Sequence, residues 1–230
     1  MIARKNFDSD AENASWERQS AEPPSMAELE FLDSDLAKWI PDFPVVFRGK
    51  RVLDLGAGRG LLGIVVAERY SPEFCISLDL GLHRLHAAGS WIRKLDNFAA
   101  VCGDVFRLPF PDKCFDIVAA NSLLHHFPDL DSATSEIARV LKPGGYYFGR
   151  EPNFDNPVVR THIFKFDGTW VRRFAKVTPN EYPLRSKEIR ESLARAGCRC
   201  EFRYFWRRLK YLTHPFFSVA ISVRARKLPC

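Results

Sequence analysis

The chain has 230 residues, 46% of them hydrophobic and 27% charged, with a net charge of +6 at pH 7. That balance predicts one globular domain with a good-sized core, and no apolar run reaches the length of a membrane span. Met1 to Asp8 contains no apolar stretch of signal-peptide length, so a cytoplasmic protein is expected. Six cysteines occur without a paired Cys-x-x-Cys framework. Cys75, Cys102 and Cys114 fall in or near predicted strands and read as buried thiols, and Cys198-x-Cys200 lacks a second ligand pair, so no metal site is expected.

Residues 1–24 are polar apart from Trp16 and end at Pro23-Pro24. Ser25 caps a predicted helix from Met26 to about Ile40, with Leu29, Leu32, Leu36 and Ile40 at helical spacing. Strands are predicted at Val52–Leu55, Phe74–Asp79, Ala99–Cys102, Phe115–Ala120 and Gly145–Phe148. Helices are predicted at Leu61–Tyr70, Leu82–Lys94 and Asp131–Leu141, the last ending at Lys142-Pro143-Gly144-Gly145. This alternation argues for a parallel α/β sheet with helices on both faces. Beyond Glu151 the pattern changes: a stretch rich in Phe, Trp and Arg, a helix at about Ser186–Ala196, and two strands at about Arg199–Trp206 and Phe216–Arg224.

The run Arg51-Val52-Leu53-Asp54-Leu55-Gly56-Ala57-Gly58-Arg59-Gly60 carries the most information. A buried strand, a glycine turn and a helix N-terminus make a site for a nucleotide-like ligand, because glycines let backbone N–H groups approach closely. Here an acid precedes the glycines, which suits a ligand bearing a charged amine. Gly58-Arg59-Gly60-Leu61-Leu62-Gly63 formally fits the dinucleotide pattern G-x-G-x-x-G. Its register is late for the turn, and Gly63 reads equally as a residue that permits close helix–sheet packing. Asp79, at the tip of the second strand, is placed to accept hydrogen bonds from ribose hydroxyls, a feature common to several nucleoside ligands. Gly103-Asp104-Val105 follows the third strand, where Gly-Asp is also a common turn pair.

The glycine run resembles the first motif of class I S-adenosylmethionine (SAM) dependent methyltransferases. Leu108-Pro109-Phe110-Pro111-Asp112-Lys113-Cys114-Phe115-Asp116-Ile117-Val118 is similar to a signature of the UbiE/type 11 small-molecule group. So are Asn121-Ser122-Leu123-Leu124-His125-His126-Phe127 and Glu136-Ile137-Ala138-Arg139-Val140-Leu141-Lys142-Pro143-Gly144-Gly145. The resemblance covers about residues 50–152. It implies a Rossmann-like seven-stranded, mostly parallel sheet with a final antiparallel strand, and SAM as cofactor. It implies that Asp54, Gly56, Gly58 and Gly60 serve the methionine part, Asp79 and the adjoining Leu80 the ribose, Asp104 and Val105 the adenine, and Asn121 the cofactor from the fourth strand. His125 and His126 are the candidate catalytic residues, since imidazole titrates near neutral pH, although a histidine there can also orient substrate or pack under a loop.

Residues 1–150 carry 17 Lys+Arg against 21 Asp+Glu, a net of −4, and residues 151–230 carry 17 against 7, a net of +10. The basic final third suits an anionic or phosphorylated acceptor or a membrane surface, or is simply a solvated face. Phe154, Phe164, Phe166, Trp170 and Phe174 interleave with Arg160, Lys165, Arg172, Arg173 and Lys176. Such a stretch reads as an amphipathic substrate lid over 154–180 rather than a nucleic-acid surface. The expected division is an N-terminal helical cap at 1–48 and a methyltransferase domain at 49–230. The expected activity is methyl transfer to a small-molecule O, N or C nucleophile. The alternatives are an RNA or protein methyltransferase using the basic third, against which no Asn/Asp-Pro-Pro-aromatic motif follows the fourth strand, and a non-catalytic SAM-binding scaffold.

Overall fold

The computed structural model describes residues 22–40, 42–43, 45–159, 182–205 and 218–229. Trp16, most of the expected lid, Trp206 and Phe216 lie outside the described residues. Seven strands form one sheet: β1 (Arg51–Leu55), β2 (Phe74–Asp79), β3 (Phe98–Cys102), β4 (Phe115–Asn121), β5 (Leu141–Pro152), β6 (Cys198–Phe205) and β7 (Ala220–Lys227). Their order is β3-β2-β1-β4-β5-β7-β6. The strands from β1 to β5 pair in parallel, and β7 inserts antiparallel between β5 and β6. The expected mostly parallel sheet with an antiparallel last strand is thus observed.

Strand alternation splits the core into two layers. Val52, Ile117, Ala119 and Phe148 face one side, where they pack with α1 (Met26–Trp39) and α2 (Leu61–Arg69). Leu53, Leu55, Val118, Ala120 and Tyr147 face the other, against α5 (Leu130–Val140) and α6 (Ser186–Arg195). α1 starts at a capping box: the Ser25 hydroxyl accepts from the Glu28 N–H at 3.3 Å, and the Glu28 carboxylate accepts from the Ser25 N–H at 2.9 Å. Its Leu29, Leu32, Leu36 and Trp39 are buried with α2, so this N-terminal helix shares the core of the sheet. Among the described residues no helix is long and apolar enough to cross a membrane.

Three sequence expectations need correction. The helix expected at 82–94 is broken into α3 (Leu82–Leu85), a 3₁₀ turn at His86–Ala88 and α4 (Gly89–Ile92). Gly81 offers no side-chain cap at its start and Gly89 falls in its middle, so no stretch is long enough to propagate a regular helix. β5 begins at Leu141 rather than Gly145, because Lys142–Gly145 bulges out of the ladder between the pairs Phe115↔Leu141 and Ile117↔Tyr146. A Cβ on Gly145 would lie 2.9 Å from the Asp116 and Lys142 carbonyl oxygens, so the bulge requires glycine there. Cys102 is exposed, at the end of the edge strand β3, and Cys114, just before β4, is half-buried rather than buried; Cys75, Cys198 and Cys200 are buried.

Candidate active site

The strand order reverses between β1 and β4, which opens a crevice at the C-terminal edge of the sheet. The turn from Gly56 to Gly60 lines it. Gly56, Gly58 and Gly60 have φ of +68°, +57° and +75°, the left-handed region that other residues enter only with strain. Space is a second constraint. A Cβ on Gly56 would meet Leu123 Cδ1 at 2.4 Å, and one on Gly58 would meet Arg84 Nη2 at 2.2 Å. Gly63, inside α2, serves packing: a Cβ there would lie 2.2 Å from Ser77 Oγ and 2.9 Å from Phe98. Its role is to seat the helix on the sheet, as the second of the two sequence readings had it.

The acids occupy three successive strand ends in different ways. Asp54 is 2% exposed, and its Oδ2 accepts from the Gly63 N–H at 2.9 Å and the Ser77 hydroxyl at 2.8 Å. Burial pushes its carboxyl up to about 7, against the pull of these two hydrogen bonds, and the charge of Asp79 adds to the rise. This oxygen ties β1, β2 and α2 together beneath the turn. Asp79 spans two turns: Oδ2 accepts from the Gly58 N–H at 2.7 Å and Oδ1 from the Gly81 N–H at 2.8 Å. Arg84 stands 3.7 Å from its Oδ2. Leu80 follows, half-buried, its carbonyl 3.4 Å from the Cys102 sulfur. Asp104 is exposed and its Oδ1 accepts from the Phe106 N–H at 2.9 Å, while Val105 beside it is buried.

These residues fit the adenosyl group of SAM. Each Asp79 oxygen uses one lone pair on a backbone N–H and has a second that could accept a further hydrogen bond. Leu123 and Arg84, the side chains that a Cβ on Gly56 or Gly58 would strike, flank the turn.

The tips of β4 and β5 supply the other wall. Asn121 lies opposite Arg150 in the ladder, and its Oδ1 accepts from the Arg150 guanidinium at 3.3 Å. Arg150 pairs with the buried Asp35 of α1 at 3.2 Å, and Asp35 also pairs with Lys38 at 3.1 Å. A second tie from the N-terminal helix reaches the glycine turn, where Glu28 pairs with Arg59; this contact, with the Ser25 N–H, holds the Glu28 carboxyl down at about 2. Past Asn121 the chain turns sharply at Ser122, whose φ is +60°. His125 and His126 are both buried, with ring centroids 4.2 Å apart.

Glu151, 1% exposed, organises this segment. Its Oε1 accepts from the N–H groups of Leu123 at 3.1 Å and Leu124 at 2.9 Å, and its Oε2 lies 2.7 Å from His125 Nδ1. Glu151 is not among the candidate residues read from the sequence, and its partnership with His125 was missed there. The signal lay in the register: Asn121↔Arg150 sets Glu151 one step further along, beside the start of the 122–126 turn. Ser77 was also missed, a hydroxyl two residues before Asp79 on a strand that is otherwise read as apolar. A cavity of about 460 Å³ lies at the opposite end of the strands, lined by Lys50, Asp116, Lys142, Tyr146 and Arg224, and belongs to none of this.

Comparison with known proteins agrees with this geometry. Residues 53–149 match the family model described as "Methyltransferase domain". A fatty-acid O-methyltransferase of Mycolicibacterium smegmatis is 39% identical over 114 residues, which is 47% of this chain and 40% of that protein. A malonyl-[acyl-carrier protein] O-methyltransferase of Marinomonas is 38% identical over 95 residues, 41% of this chain and 35% of that protein. The chain thus spans two fifths or less of these two curated relatives. The fold is shared with the SAM-dependent methyltransferase of Mesorhizobium loti, with a TM-score of 0.66, 18% identity and coverage of 84% of this chain and 96% of that one. YcgJ of Bacillus subtilis gives 0.63 and 18%, covering 90% and 100%. The segment that matches the methyltransferase-domain model, residues 53–149, is the one that carries the glycine turn, braced by the buried Asp54 and Asp79 on a sheet of this order.

Proposed function

We propose that this protein transfers the methyl group of SAM to a small-molecule acceptor. The observation that carries the reading is Asp79, whose carboxylate is fixed by the N–H groups of Gly58 and Gly81 on two separate turns of the crevice. In the proposed site Asp79 and Leu80 hold the ribose, Asp104 and Val105 the adenine, and Gly56, Gly58 and Gly60 give backbone access, with Asp54 behind them toward the methionine part. Asn121, oriented by Arg150, lines the cofactor from β4. When bound, SAM supplies a methyl group on a positively charged sulfur. The residues of the chain hold the acceptor against it and exclude water, and His125 or His126 takes a proton where the acceptor must lose one. That two relatives are named as O-methyltransferases, one of them for fatty acids, supports a small acceptor with an oxygen nucleophile.

Calorimetry with SAM, S-adenosylhomocysteine and NAD tests the cofactor. Binding of the first two and not the third is expected, and NAD binding without a SAM response overturns the reading. Transfer of labelled methyl from SAM across a panel of carboxylic acids, phenols and amines, with RNA and protein as comparators, then identifies the acceptor class.

A further inference from the structure

The two histidines are not equivalent. His125 shares its Nδ1 with a carboxylate that is itself anchored. Glu151 is inside the protein, its Oε1 is engaged by two consecutive backbone N–H groups, and its Oε2 faces His125 Nδ1 at 2.7 Å. Behind Glu151 the site is closed. Tyr147 lies on the same face of β5, and its hydroxyl is buried with no hydrogen-bond partner among the described residues. Burial, and then the charge of Glu151, push its phenol well above the usual range. Gly149 between them has no Cβ, and one would lie 2.6 Å from the Tyr147 hydroxyl, so the ring is packed close under the acid. The same carboxylate reaches the cofactor turn, since Leu123, whose N–H it holds, packs against Gly56.

We propose that Glu151 is a positioning residue that keeps the proton of neutral His125 on Nδ1 and leaves the lone pair on Nε2 to take a proton from the acceptor. An ionised carboxylate only accepts hydrogen bonds, so the 2.7 Å contact requires the hydrogen on Nδ1. In the proton step the acceptor's O–H bond breaks, its electron pair stays on oxygen, and the proton goes to Nε2; Nδ1 keeps its hydrogen bond to Glu151 throughout. The inference rests on the proposed methyl transfer at this edge of the sheet. It selects His125 over His126 as the proton acceptor and favours acceptors that carry a dissociable O–H.

The variant Glu151→Gln separates positioning from support. The Gln carbonyl oxygen can still accept from Leu123 and Leu124, which turns its NH₂ toward His125 Nδ1. Nδ1 must then accept, and the imidazole proton moves to Nε2. Long-range proton–nitrogen NMR of the full-length ¹⁵N-labelled protein reads this directly, at a pH where imidazoles are neutral, with His125 assigned by its loss in His125→Gln. The wild type is expected to show a protonated Nδ1 and a bare Nε2, and Glu151→Gln the reverse, with SAM affinity by calorimetry unchanged in both. A bare Nδ1 in the wild type overturns the proposal whatever the variant does, and so does an unaltered pattern in a folded Glu151→Gln. Failure of the wild type to bind SAM would sink the proposed function while leaving this assignment of the proton standing.

Discussion

Asp79 joins two turns, so its removal has a local and measurable effect. Asp79→Ala is expected to weaken SAM binding by about 1–3 kcal/mol, the usual cost of losing charge-assisted hydrogen bonds. The fold should survive, because the residue is at a strand tip; an unchanged dissociation constant would show that Asp79 does not hold the ribose. On the other wall, His125→Ala is expected to lower turnover by roughly 10²–10⁴ once an acceptor is in hand. Because Glu151 acts through His125, the double variant Glu151→Gln/His125→Ala should be no slower than His125→Ala alone. Additive losses in kcat would mean that Glu151 works independently. The glycines and the acids at strand ends were legible residue by residue, since their types are forced by positive φ and by the edge they occupy. The partner of His125 was not, because Glu151 is 26 positions away in sequence and meets it only through the pairing of β4 with β5.

At the scale of elements, α2 is seated through Gly63. Gly63→Ala would drive a Cβ to 2.2 Å from Ser77 Oγ and 3.2 Å from Asp54 Oδ2, both members of one buried hydrogen-bonded group. Overpacking of this kind costs about 1–3 kcal/mol, and each kcal/mol lowers Tm by about 2–4 °C in a chain of this size. Thermal unfolding of the variant checks this, and an unshifted Tm would mean that the helix lifts off the sheet at no cost. The helices with regular apolar spacing, α1, α5 and α6, the first two also capped by Ser25 and Asp129, were found within a residue or so from sequence alone. The segment at 82–92 was not, because local pattern does not reveal where a glycine-punctuated helix yields to packing.

For the molecule as a whole, the buried Asp54 carboxyl gives a pH signature. It sits at about 7 in the folded chain against an ordinary value of 3.8. Between those values the folded chain keeps a proton that the unfolded chain has released. Stability from this group is therefore full below about pH 4 and declines as pH rises toward about 7, after which it levels off. Asp54→Asn cannot titrate, so its Tm should fall less steeply than that of the wild type across this window. Parallel profiles for the two proteins would contradict the raised value.

The sequence by itself determined the alternation of strands and helices, the glycine turn and the acids at three successive strand ends. Each depends on local rules: apolar periodicity, the backbone freedom of glycine, and the place of a polar residue at the end of a buried run. Only the tertiary structure decided which groups meet. It put Ser77 against Asp54, Arg150 between Asn121 and Asp35, and Glu151 against His125. Those contacts depend on strand register and crossover, which bring together residues from about 20 to more than 100 positions apart, and no local pattern in the chain encodes a partner at that distance.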